Sequence, residues 1–192
     1  MNERESLIAF LNYIHPLPEE VMEEFVDAWK PFEASRKQLL TREGDVENYI
    51  YFVTEGIQRS YYIKDDKEHV IAFTYAPSFS GIPESFITQT PSLYYLECIT
   101  PSRFLRMPRQ QLEVLLEEHR SIERLFRIST EQILIGFIHR HYELLALSIE
   151  ERFKTFLQRS PHLLNQIPHK HLASYLGMAP SNFSKLLGTV QL

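Results

Sequence analysis

Apolar residues recur at helical spacing near the start of the chain, at Leu7, Ile8, Leu11 and Ile14, and again at Val21, Phe25, Val26 and Trp29. The spacing predicts two amphipathic helices, over about residues 3–14 and 18–29, parted at His15-Pro16 and stopped by Pro31. From Phe32 the pattern changes to short segments rich in β-branched and aromatic residues: Phe32–Arg36, Gln38–Thr41, Tyr49–Thr54, Ile57–Lys64, Glu68–Tyr75, Leu93–Thr100 and Arg103–Met107. Glu43-Gly44-Asp45, Glu55-Gly56, Asp65-Asp66-Lys67 and Thr100-Pro101-Ser102 supply turns between them. Many short strands at this spacing predict a small jelly-roll-type barrel or sandwich. Residues 76–92, rich in Gly, Pro and Ser, read as an irregular loop with one helical turn.

Helical spacing returns at Pro108 and runs through His119. The longest helical pattern follows, over about 122–147, and its Ile133-Leu134-Ile135-Gly136-Phe137-Ile138 run is apolar almost all round. Such a helix should be buried on two sides. Leu134, Ile138, Leu145 and Ile149 form one stripe; Phe126, Ile133, Phe137 and Leu144 form another. The strand-rich domain can cover one stripe, and the same helix of a second copy is the economical cover for the other. The alternative is that the tail folds back over it. Ser148 and Glu151 form a capping box that opens a further helix, 149–159, ended by Ser160-Pro161.

Near the end, Pro168 suits the start of a helix whose Leu172 and Leu176 share a face, with Ala173 small enough for a close crossing. Gly177 can take the left-handed conformation that ends it. Pro180 then opens a second helix with Phe183, Leu186 and Leu187 turned inward. Ala173, Gly177 and Phe183 have the spacing of a DNA-binding helix-turn-helix, whose second helix enters the major groove. An ordinary helical hairpin is the alternative.

At 192 residues the chain can bury a proper core. Its one cysteine, Cys98, excludes a disulfide framework and a thiolate cluster within one chain. That cysteine usage, the lack of a signal peptide and the lack of a membrane-length apolar run predict a cytoplasmic protein with no membrane partner. The net charge of −5 is unevenly shared. Residues 150–192 hold five Lys and Arg against two Asp and Glu, whereas residues 1–149 hold fifteen against twenty-three. An acidic body with a basic tail is compatible with specific DNA binding through the tail. The histidines form no metal set: His139 and His141 fall on nearly opposite sides of a helix, His169 and His171 are no better placed, and His69 stands alone in the barrel. No nucleophile constellation or glycine-rich phosphate loop appears, so no catalytic residue, metal or cofactor is assigned and the chain reads as a non-enzyme.

The order of helices, strand-rich barrel, long apolar helix and helix-turn-helix resembles the CRP/FNR family of bacterial transcription regulators over nearly the whole chain. Leu40-Thr41-Arg42-Glu43-Gly44-Asp45 before Tyr49–Val53, the Glu55-Gly56 turn, Leu105-Arg106-Met107-Pro108-Arg109 and Glu150-Glu151-Arg152-Phe153 carry the likeness. The resemblance implies an α+β fold: a cyclic-nucleotide-binding-like β-roll with flanking helices (residues 1–119), a dimerisation helix (120–147) and a helix-turn-helix of winged type (148–192). It implies a homodimer bound to a palindromic double-stranded DNA site, with Phe126, Ile133, Leu134, Phe137, Ile138 and Leu145 at the dimer interface. Lys170, Pro180, Ser181, Asn182, Ser184 and Lys185 would face DNA.

Two departures matter. In the family's phosphate-binding cassette a Gly-Glu pair and a later Arg hold a cyclic nucleotide. Here Gly81 matches, but Ile82 falls at the Glu and Ser92 at the Arg, although Glu84 is close by. A phosphate without that Arg loses a charge-assisted pair worth about 1.5–3 kcal/mol, so cyclic AMP is not expected as effector. Gly81, Ile82, Glu84, Ser85, Ser92 and Leu93 would then line a pocket for an unknown small molecule, or merely close the barrel. In the second tail helix, Pro180, Ser181 and Lys185 stand at the family's base-reading Arg, Glu and Arg positions, and little chain follows to form a wing. A ligand-sensing or protein-interaction dimer with a degenerate DNA-binding domain is therefore the alternative function.

Overall fold

In the computed structural model, residues 2–189 are described. Two helices open the chain: α1 (Glu3–Ile14) and α2 (Glu19–Asp27). The Asn2 side chain caps α1 while Glu5 reaches back to the Asn2 N–H, satisfying two otherwise orphaned donors. Eight strands follow: β1 (Lys30–Ala34), β2 (Leu39–Thr41), β3 (Tyr49–Glu55), β4 (Ile57–Lys64), β5 (Lys67–Tyr75), β6 (Ser78–Ser80), β7 (Tyr95–Cys98) and β8 (Ser102–Pro108), with the short helix α3 (Pro83–Thr88) after β6. They form two four-stranded antiparallel sheets, in the orders β1-β8-β3-β6 and β2-β7-β4-β5. The remaining helices are α4 (Arg109–Glu118), α5 (Arg120–Ala146), α6 (Ile149–Arg159), α7 (His169–Tyr175) and α8 (Pro180–Thr189), with a 3-10 turn over Pro161–Asn165. The fold is α+β, a β-roll flanked by helices. No helix among the described residues is long and apolar enough to cross a membrane.

The alternation of side chains along a strand decides what each sheet buries. On β8, Leu105 and Met107 face the helices and join Leu7, Leu11, Phe25, Trp29, Ile122 and Leu125 in one core. Phe104 points the other way, into the roll, with Ala34, Tyr51, Val53 and Cys98. Burial pushes the Cys98 thiol up to about 11, so it stays protonated and unreactive. The tail has its own core, Phe153, Phe156, Leu163, Leu164, Leu172, Ala173, Leu176 and Phe183, and Ile57 and Ile99 of the roll reach into it.

Three features of the structure change or add to the sequence reading. Residues 76–92 are more ordered than a loop: β6 pairs with β3, Tyr51 opposite Ser80, and α3 follows. Phe126, expected at a dimer interface, packs into its own chain, edge-on to Phe25 at 6.1 Å and stacked on Phe79 at 5.6 Å. That position lies near the start of α5, where α2 and β6 cover the stripe that is exposed further along the helix. Glu24, Glu118 and His119, unremarked in the sequence, bring their ligand atoms within 4.8 Å of one another on the surface, where His119 already contacts Glu24 at 3.0 Å.

Candidate nucleic-acid interface and ligand pocket

Ser148 and Glu151 form the expected capping box and start α6 at Ile149. Gly177 adopts φ +65 and lets the chain turn from α7 into α8; a Cβ there would lie 2.9 Å from the Arg152 guanidinium. Leu172, Leu176 and Phe183 are fully buried. The Phe183 ring meets Phe153 edge-on at 5.3 Å, which seats α8 on α6. Pro180, Ser181, Ser184 and Lys185 are consequently exposed on the outer face of α8, with Asn182 half-buried and Lys170 exposed on α7. The Ser184 hydroxyl donates to the Pro180 carbonyl at 3.0 Å, inside its own helix. Two of the other tail cations are paired within the protein. Lys154 pairs with Glu150 at 2.6 Å and Arg159 with Glu143 at 2.8 Å, while Arg152 lies under Gly177 with its buried Nε unpartnered among the described residues. The expectation of a missing wing concerns the chain after Thr189, outside the described residues.

The inner face of α7 is docked on the β-roll, and this joint was not foreseen. The Ser174 hydroxyl accepts the Val70 N–H at 3.0 Å and donates to the Glu68 carbonyl at 3.1 Å. The Tyr175 ring packs on Phe73 at 5.2 Å and lies under the Arg140 guanidinium at 4.0 Å. Beneath them the Arg59 side chain, 5% exposed, pairs with Glu97 at 2.5 Å and Glu68 at 2.6 Å. It also meets His171 Nδ1 at 2.8 Å. Because Arg can only donate, Nδ1 must accept, and the neutral imidazole carries its proton on Nε2. Burial first, then the Arg59 and Lys170 charges, lower the His171 pKa to about 4, against the opposing pull of Glu68. One signal could have found the joint: Arg59 shares a strand face with Ile57 and Tyr61, where a cation needs buried partners.

Gly81 takes φ +151, and Ile82 is 2% exposed. The buried Ser85 hydroxyl donates to the Thr90 carbonyl at 2.7 Å and accepts the Glu47 N–H at 3.0 Å. Ser92, at the place of the family's Arg, is buried and bonds Tyr94 through both its hydroxyl and the Tyr94 N–H, each at 2.9 Å. Glu84 is exposed and Leu93 is 61% exposed. Ile133, Leu134, Phe137, Ile138 and Leu145 are all exposed on α5, beyond the turns that the roll covers.

Residues 31–119 match the cyclic nucleotide-binding domain family. The fold is similar to that of FixK2 from Bradyrhizobium japonicum, at a TM-score of 0.73 and 19% identity over 83% of each chain. It is also similar to the c-di-GMP-responsive global regulator CLP of Xanthomonas campestris, at 0.67 and 17%, over 89% of this chain and 90% of that one. For the catabolite activator protein of Thermus thermophilus the values are 0.58 and 19%, over 93% and 89%. No curated protein matches the chain. The chain thus shares the fold of these three proteins, and residues 31–119 of it match a cyclic nucleotide-binding domain.

Proposed function

We propose that the protein is a non-enzymatic, cytoplasmic, sequence-specific transcription regulator of CRP/FNR type. It acts as a homodimer on a palindromic DNA site and is not controlled by cyclic AMP. One observation carries the reading: α8 buries Phe183 and presents Pro180, Ser181, Ser184 and Lys185 to solvent across a left-handed turn from α7. That is the geometry by which a recognition helix enters a major groove. Residues 1–119 serve as sensor, 120–147 as dimerisation helix and 148–192 as DNA-binding unit. An effector bound to the roll shifts the population of recognition-helix positions through α5 and the α7 joint. Ser92, turned into its own turn in place of an arginine, supports a non-nucleotide effector or none.

The test is selection of bound sequences from a random DNA pool with the full chain. An enriched palindrome is expected. No enrichment at any salt concentration favours the second reading, a sensing or protein-interaction dimer that no longer binds DNA. That reading rests on Lys185 being the one cation of α8. Calorimetry with cyclic AMP and cyclic GMP is expected to give no binding heat; micromolar affinity for either overturns the effector assignment.

A further inference from the structure

At the open end of the roll, between β1, β2, the start of β3 and β8, lies a groove of about 470 Å³. The residues expected to form a ligand pocket do not line it. Arg106 of β8 projects into it. Its guanidinium carbon sits 4.1 Å from the centre of the Phe32 ring and 4.5 Å from that of Tyr49. Rings against the guanidinium hold its plane, so the N–H groups along its edge remain for hydrogen bonds in that plane.

The charge of Arg106 has no counter-charge in ion-pair contact among the described residues. Two carboxylates line the groove and both are engaged elsewhere: Asp45 accepts the Arg42 N–H at 3.1 Å, and of Glu47, 3% exposed, one oxygen accepts the Thr41 hydroxyl and the other the Tyr49 N–H at 3.1 Å. Tyr51, also in the wall, is kept un-ionised, chiefly by burial and secondly by Glu47, with Arg106 opposing. A half-buried arginine, fixed in plane and without an acidic partner, has the donor geometry that matches an oxyanion in two-point contact. The groove is large enough for a small organic molecule, and Leu40, Phe32 and Tyr49 give it apolar walls.

We propose that this groove is a binding site for a small organic acid, its carboxylate or phosphate on the edge of Arg106 and its flat apolar body along Leu40 and Tyr49. The site lies apart from the cassette but is tied to it through one residue. The Glu47 N–H donates to Ser85 of α3 at 3.0 Å, and its carbonyl accepts the Gln89 side-chain amide at 3.1 Å. An anion held at Arg106 is thereby felt at α3. The inference does not depend on DNA binding.

The test is a titration of the full-length protein, arginine-labelled with 15N, with benzoate, phenyl phosphate, inorganic phosphate and neutral benzamide, reading the arginine Nε–Hε signals. Benzoate or phenyl phosphate is expected to shift the Arg106 signal saturably, together with the backbone amides of Glu47, Ser85 and Gln89; the stronger of the two identifies the head group. Benzamide should leave the signal in place. Arg106→Lys keeps the charge and loses the planar fork, and should weaken binding by about tenfold or more. Two results overturn the site: no saturable response to either acid in the wild-type protein, or an equal response in Arg106→Lys. Inorganic phosphate binding as tightly as phenyl phosphate overturns the assignment to an organic ligand.

Discussion

Arg59 and His171 meet at 2.8 Å across the joint between the β-roll and the first helix of the helix-turn-helix. One lies on β4 and the other on α7, so the contact reports directly on whether the tail is docked. Both side chains are largely buried, 5% and 12% exposed, with Glu68 at the solvent-facing edge of the joint.

The joint should loosen in mild acid. The folded pKa of His171, about 4, lies below its ordinary 6.5. Between those values the unfolded or undocked chain binds the proton and the docked chain does not. The stabilisation is therefore full above pH 6.5, falls through the window, and is lost below about pH 4. A shift of this size corresponds to about 3 kcal/mol. Urea unfolding followed at steps of pH should show the fall, and His171→Asn, which keeps an acceptor for Arg59 but does not titrate, should flatten it. Equal pH slopes for the two proteins would contradict the assignment.

Ser174→Ala removes both hydrogen bonds that Ser174 makes to the β5 backbone. It leaves the Val70 N–H without its partner, at a cost of about 1–3 kcal/mol. Hydrogen exchange at the Val70 amide should rise in the variant, while exchange on β3 stays unchanged.

Two glycines with similar backbone angles should respond differently to alanine. Gly56 (φ +94) has no room: a Cβ would lie 2.3 Å from the Ser102 hydroxyl and 2.6 Å from the Pro101 carbonyl. Gly44 (φ +87) has nothing within 4 Å. Gly44→Ala should lose about 1–2 kcal/mol for the left-handed backbone alone. Gly56→Ala should lose about 1–3 kcal/mol more, because the turn and Ser102 must shift. Thermal melts of the two variants compare the effects directly.

Ile138 and Phe126 separate association from folding. Ile138, 58% exposed on α5, has little to lose within its own chain, and Ile138→Glu should give a folded protein that sediments as a monomer. Phe126 packs between Phe25 and Phe79, so Phe126→Glu should unfold the protomer at lower denaturant concentration. A wild-type chain that sediments as a folded monomer at micromolar concentration would remove the dimer from the proposal.

Much of the fold was legible because it is written in local chemistry. Helices α1 and α6 fall where the periodicity and the Ser148 capping box put them, and the Gly177 turn follows from one residue's freedom at positive φ. β6 was missed because a three-residue strand beside Pro77 has no period of its own; pairing with Tyr51–Val53 creates it. The cassette sequence showed that an arginine was missing. It did not show that the Ser92 hydroxyl is spent on Tyr94.

The sequence by itself determined the elements, their order and the residues able to lie inside, since hydrophobic period, caps and turn residues act over a few positions. Tertiary structure decided which partner each face receives. Phe126 and Phe137 share a stripe on α5, yet one meets α2 and β6 while the other stands in solvent, because the roll reaches only the first turns of that helix. Arg59, Glu68, Glu97 and His171 come from four elements, β4, β5, β7 and α7, spread over more than a hundred residues of chain. Their charges are bearable only because the fold brings them within hydrogen-bond distance, a relation between distant residues that no local pattern encodes.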